Sequence, residues 1–205
     1  HWQGGRVARG EWGRLSASSQ FPATRTAFFD LASLTKPTAT ALSVLRLVSE
    51  GRLALDDTLG RLCADLLPAR PDPPATPLRC HPKLRRATVH HLLTHTSGIA
   101  AWEGLYKRGV GRWEFVQAVL GAEPKHKLGT RYEYSCLGYI VLGEIVSAAA
   151  QMPLDAYARG KLHLPAGMKD TRFCPGPADR KRAAATERCP WRRKRTRGFV
   201  HDENA

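Results

Sequence analysis

The chain has 205 residues, of which 42% are hydrophobic and 24% charged, and a formal net charge of +14. That length can bury a full core in one domain, and the composition excludes disordered and fibrous classes. The longest apolar run, residues 137–150, is too short to span a bilayer and carries Glu144 inside it.

Residues 1–30 read as strands and turns. Gly4-Gly5 is a turn signal, Arg6 to Leu15 is a strand candidate interrupted by Gly10 and Gly13, and residues 16–26 are loop-like. No targeting pattern is visible ahead of them. Ala27-Phe28-Phe29 then leads into Ser33-Leu34-Thr35-Lys36. A serine and a lysine three apart share a helical face, with Cβ atoms roughly 5–6 Å apart. A neutral lysine amine at that separation can accept the serine proton, and a helix N-terminus favours the negative charge that develops. The spacing alone is common by chance, so its surroundings decide its weight. Pro37 fits a first helical turn, and residues 39–48 are almost wholly apolar, which predicts a helix buried on every side. Gly51 suits the position just past its end. The plainer reading is an N-capping serine beside a solvated lysine.

Thr58 to Leu67 reads as a short amphipathic helix. Residues 68–82 hold six prolines, which predicts an irregular surface loop. Thr88 caps a short helix that stops at Ser97-Gly98. His91 and His95, four apart, have the spacing of a metal-binding pair. However, Leu92 stands where the metalloprotease pattern needs Glu, and no carboxylate third ligand lies nearby, so both histidines are expected to be structural, with no metal. Trp113 to Leu120 is helical. Leu137 to Ala150 is a second nearly all-apolar helix, which places Tyr134-Ser135-Cys136 in a loop at its N-terminus, as Ser33 is placed at the first. A buried tyrosine is most often a packed ring with a satisfied hydroxyl. Pro153 to Leu164 suggests another amphipathic helix.

Nine of the 32 Lys and Arg lie between Arg180 and Arg197. Such a run is more often a solvated or disordered surface than a phosphate-binding one, and only Trp191 sits among the charges, so no specific nucleic-acid partner is expected. The five cysteines, at 63, 80, 136, 174 and 189, form no Cys-x-x-Cys pair and leave one over, which argues against a disulfide framework or a zinc knuckle.

Together, Phe29-Asp30-Leu31-Ala32-Ser33-Leu34-Thr35-Lys36, the Leu92–Gly98 block and Tyr134-Ser135-Cys136-Leu137-Gly138-Tyr139 resemble the serine β-lactamase and penicillin-binding protein superfamily. The similarity is to its class C-like branch, with esterase, D-aminopeptidase and D,D-peptidase relatives. Pro165-Ala166-Gly167-Met168-Lys169-Asp170-Thr171 and Val200-His201-Asp202-Glu203-Asn204-Ala205 match two further blocks in the right order.

The resemblance implies an α+β fold: an antiparallel sheet flanked by helices, with a mostly helical second region and the site between them. Residues 1–205 would form one incomplete domain: 1–32 the first strands, 33–51 the nucleophile helix, 52–197 the helical region and 198–205 the return to the sheet. Ser33 would be the acylated nucleophile, Lys36 and Tyr134 its acid–base partners, and Cys136 a substrate-binding position. No cofactor is implied, and relatives are often periplasmic or secreted. The acyl donor would be an ester, a peptide ending in a D-amino acid, or a β-lactam. That makes the partner a small-molecule or peptidoglycan-type substrate, with esterase or peptidase chemistry ahead of a dedicated β-lactamase. Two departures stand out. The family's Tyr-x-Asn has Cys136 in place of Asn, and its third motif, a Lys- or His-bearing triad on a sheet strand, has no counterpart here, so the C-terminal strands are missing. A non-catalytic or truncated member is the second reading.

Overall fold

Thr58, Thr88 and Ser135 each precede a helix in the computed structural model, and each hydroxyl accepts a first-turn N–H, from Arg61, His91 and Gly138 at 3.4, 3.3 and 3.0 Å. These caps satisfy donors that a helix start leaves orphaned, so helix positions follow from residues legible in the chain. The structure describes residues 2–3, 6–7, 10–108, 111–190, 192–202 and 204; Gly4-Gly5, Trp191, Glu203 and Ala205 lie outside the described residues. The chain forms two compact units. One gathers the described residues up to Ala32 with those from Arg172 to Asp202, and the other Ser33–Thr171 with Asn204.

The first unit carries all the described strands. β1 (Trp2–Gln3) pairs antiparallel with β2 (Arg6–Val7), so the strand read over Arg6 to Leu15 is realised only at its start and at a bridge from Arg14 to Pro22. Further along, a short helix at Pro177–Lys181 leads to a second antiparallel pair, Ala185–Cys189 with Lys194–Arg197. The basic segment is therefore not a free surface run, because several of its arginines answer backbone carbonyls. Arg197 Nε donates to Ala183 O at 2.8 Å, Arg192 Nη2 to Asp202 O at 3.2 Å, and the Arg180 guanidinium lies 4.0 Å from the Phe199 ring centre.

The second unit is helical. Its first helix opens as a wide turn over Lys36–Ala41 and continues as α1 (Leu42–Ser49), ending at Gly51 with φ +69°. Only glycine adopts that conformation without a Cβ clash. Ala39, Thr40, Ser43, Val44 and Leu47 are buried, but Leu42 and Leu45 are 46% and 49% exposed. The expectation of burial on every side is thus corrected. Residues three and four apart share one face of a helix, and in this chain only that face meets a core.

The helical run after Thr58 starts as α2 (Leu59–Arg61) and tightens and widens through Leu62–Leu66 and Leu67–Ala69. α3 is Val89–Leu93, α4 Arg112–Gly121, α5 Cys136–Ala150 and α6 Leu154–Ala158. α5 is the hub, with Leu137, Val141, Leu142, Ile145 and Val146 buried against Val44, Leu47, Leu59, Leu62 and Leu92. Each such side chain contributes roughly 1.5–3 kcal/mol on burial. Glu144, the one charge in this run, pairs with Arg70 of the proline-rich loop, and Arg112 joins it at 2.7 Å. The loop is thus tied to the hub by a buried ion pair. Strands segregated from helices make the fold α+β. Among the described residues no single helix is long and apolar enough to cross a membrane.

Candidate active site

Ser33 sits in a single tight turn, Ala32–Leu34, directly before the wide turn that begins at Lys36. Ala32 is held at φ +45°, a left-handed conformation rare for a residue with a Cβ, and its N–H donates to Asp30 Oδ1 at 2.8 Å. Strain of that kind is characteristic of segments that present a functional side chain. Ser33 emerges exposed, and the half-buried Lys36 reaches back so that its Nζ lies 3.1 Å from Ser33 Oγ.

Lys36 Nζ also lies 3.4 Å from Cys136 Sγ and 5.0 Å from the centre of the Tyr134 ring. The structure therefore brings together all four residues singled out in the sequence. Ser135, between Tyr134 and Cys136, is the reason the loop can do this. Its hydroxyl caps α5, donates to Ala100 O at 2.7 Å, and leaves Tyr134 and Cys136 pointing to either side of a fixed residue. Cys136 N–H is held in turn by Ala101 O at 2.9 Å.

Burial opposes the charge on Lys36. The Tyr134 hydroxyl and the Cys136 thiol beside it more than offset that, and the amine titrates above its ordinary value. The group is consequently an ammonium at neutral pH and donates to Ser33 Oγ.

His95 is a neighbour whose place in this site the sequence did not reveal. Its Nδ1 accepts the Ser135 N–H at 3.0 Å, and its ring packs 4.7 Å from Tyr134 and 4.9 Å from Tyr139. Burial, and then the Lys36 charge, hold His95 below the ordinary histidine value, which keeps Nδ1 available as an acceptor. Spacing from His91 was the only sequence signal it carried, and it pointed elsewhere. His91 faces away, closing a capping box with Thr88 at 2.7 Å. Among the described residues no three His, Cys, Asp or Glu side chains are grouped as a metal site.

Comparison with known proteins agrees with this geometry. The Beta-lactamase family model matches residues 2–202. An uncharacterized protein of Mycobacterium tuberculosis is 37% identical over 198 residues, 90% of this chain and 49% of that protein. Esterase EstB of Burkholderia gladioli is 33% identical over 174 residues, 78% of this chain and 42% of the esterase. A putative D-alanyl-D-alanine carboxypeptidase of Salmonella schwarzengrund is 31% identical over 160 residues, 75% of this chain and 35% of that protein. The solved structure of D-alanine carboxypeptidase AmpC from Burkholderia cenocepacia superposes with a TM-score of 0.69 at 20% identity, covering 94% of this chain and 48% of its own. The chain thus spans half or less of the length of these relatives. Ser33, Lys36 and Tyr134 converge within that shared half, and the family model runs through all three: the chain belongs to the β-lactamase family, within the serine β-lactamase and penicillin-binding protein superfamily.

Proposed function

We propose that the chain carries the acyl-transfer site of a serine hydrolase whose substrate is a carboxylic ester. One observation carries the reading: Lys36 Nζ lies 3.1 Å from Ser33 Oγ with the Tyr134 ring and the Cys136 thiol on its other sides. In this reading Ser33 Oγ attacks the ester carbonyl carbon and its proton passes to the Lys36–Tyr134 pair. The pair returns that proton to the departing alkoxide as the C–O bond breaks, leaving an acyl group on Ser33. Water then repeats the sequence and releases the acid. Because Lys36 rests as an ammonium, the pair must shed one proton before Ser33 can give up its own.

The preference for an ester rests on Cys136. A thiol offers one weak donor where an amide offers two donors and an acceptor, so a substrate amide finds less to bind here than a bare ester requires. The esterase among the similar proteins supports the same choice. A second reading, a member that binds acyl groups without turnover, draws on the resting charge of Lys36.

Labelling with a fluorophosphonate, followed by peptide mapping, tests the site. Ser33 is expected to carry the label, and Ser33→Ala to abolish it. A label on the buried Ser97 or Ser135, with Ser33 untouched, overturns the assignment.

A further inference from the structure

Two cysteines that the sequence separates by the whole proline-rich loop meet in the second unit. Cys63 lies in the helical run after Thr58 and is 4% exposed, within the apolar core. Cys80, at the far end of the loop, packs against that same core, and a hydrogen bond joins the two thiols. Backbone contacts hold the two segments in register. Leu59 N–H donates to Ala87 O at 2.7 Å and Gly60 N–H to Arg85 O at 2.9 Å, while His81 N–H donates to Leu120 O at 2.8 Å. The next turn of the run therefore delivers Cys63 to Cys80 across the short turn Pro82–Leu84. From this juxtaposition we infer that Cys63 and Cys80 are a dithiol that a peroxide converts to a disulfide, closing residues 64–79 into a covalent loop.

The two sulfurs are unequal in a way that suits the reaction. The hydrogen bond from Cys63 holds the Cys80 thiol below its ordinary value, against burial, and the Arg85 guanidinium adds to the effect. The same hydrogen bond, and then burial, push the Cys63 thiol up. Cys80, the more accessible sulfur, is thus the thiolate that a peroxide reaches first. Its attack on hydrogen peroxide gives a sulfenic acid and hydroxide. The Cys63 sulfur then attacks the sulfenic sulfur, water leaves with the Cys63 proton and the sulfenic oxygen, and the S–S bond forms. In sum, two thiols and one hydrogen peroxide give one disulfide and two waters; the sulfurs lose the two electrons the peroxide gains. The bond would restrict the unfolded chain across the loop and so stabilise the fold. The Ser33 site plays no part, and this inference stands independently of the proposed hydrolysis.

The experiment uses the full 205-residue chain, treated with hydrogen peroxide, denatured, alkylated and digested. The expected product joins the Cys63 and Cys80 peptides, two hydrogen atoms lighter than their sum, and dithiothreitol reverses it. The oxidised chain melts several degrees higher than the reduced one. Cys80→Ser removes the cross-link, Cys63→Ala does the same by the other partner, and Cys174→Ser leaves it in place. Cys63 and Cys80 both alkylating after peroxide treatment overturns the inference, as does either of them pairing with Cys136, Cys174 or Cys189.

Discussion

Lys36 Nζ and Cys136 Sγ meet at 3.4 Å although 100 positions separate them in the chain. The contact joins the helix that begins beside Ser33 to the first residue of α5, and it sets what the lysine can do. A carboxamide at position 136, the family's usual choice, would hold both the lysine and a substrate amide; a thiol holds the lysine only weakly. We therefore expect Cys136→Asn, in a protein carrying the complete domain, to favour amide-bearing substrates. An unmet buried polar group costs roughly 1–3 kcal/mol, so a β-lactam or D-peptide should gain about one order of magnitude in kcat/KM relative to a simple ester. Equal change on both substrates would show that the thiol does not stand in for the amide.

Acylation should be alkaline. Lys36 titrates above its ordinary value, so at pH 8 a smaller fraction is neutral amine than for a free lysine, and that fraction grows with each step upward in pH. The second-order rate of Ser33 labelling by a fluorophosphonate is expected to climb from pH 6 through pH 9 without levelling. A plateau near neutrality would mean that a different group takes the proton.

His95 makes folding sensitive to acid. Its folded-state value lies below the ordinary 6.5, so the unfolded chain binds the proton first. The resulting stability is full above about pH 6.5 and is lost as pH falls from there towards the folded-state value. His91, also lowered by burial and by His90, acts in the same direction. Asparagine tolerates the φ of +58° found at position 95 and keeps an acceptor for the Ser135 N–H. His95→Asn should consequently shrink the fall in Tm between pH 7 and pH 5 without removing it. An unchanged pH dependence would assign the effect to His91 or to other groups.

Arg70 is buried beside Glu144, and Glu144→Ala would leave its guanidinium largely uncompensated, since the remaining partner, Asp72, is mostly solvent-exposed. Removing one member of a buried pair typically costs about 3–5 kcal/mol, whereas replacing both by apolar residues is often neutral. Urea unfolding should show the large loss for Glu144→Ala and recovery of much of it in Arg70→Met/Glu144→Leu. A loss below 1 kcal/mol for the single substitution would mean that water reaches Arg70.

The sequence by itself determined where the helices start and which residues carry chemistry. Thr58, Thr88, Ser135 and Gly51 act within a turn or two of their own positions, and capping is local physics that needs no knowledge of the rest of the chain. Ser33 and Lys36 are of the same kind, since three residues of helical spacing suffice to bring them together. Tertiary structure alone decided the remainder. Which face of the first helix is covered depends on what packs against it, so Leu42 and Leu45 could not be read as exposed from an apolar run. The turn of His95 towards Tyr134, the pairing of Arg70 with Glu144 and the meeting of Cys63 with Cys80 all join residues distant in the chain. Long-range contacts of this sort are selected by the packing of the whole core around α5, and a pattern of residue types along one segment does not record which partner that packing supplies.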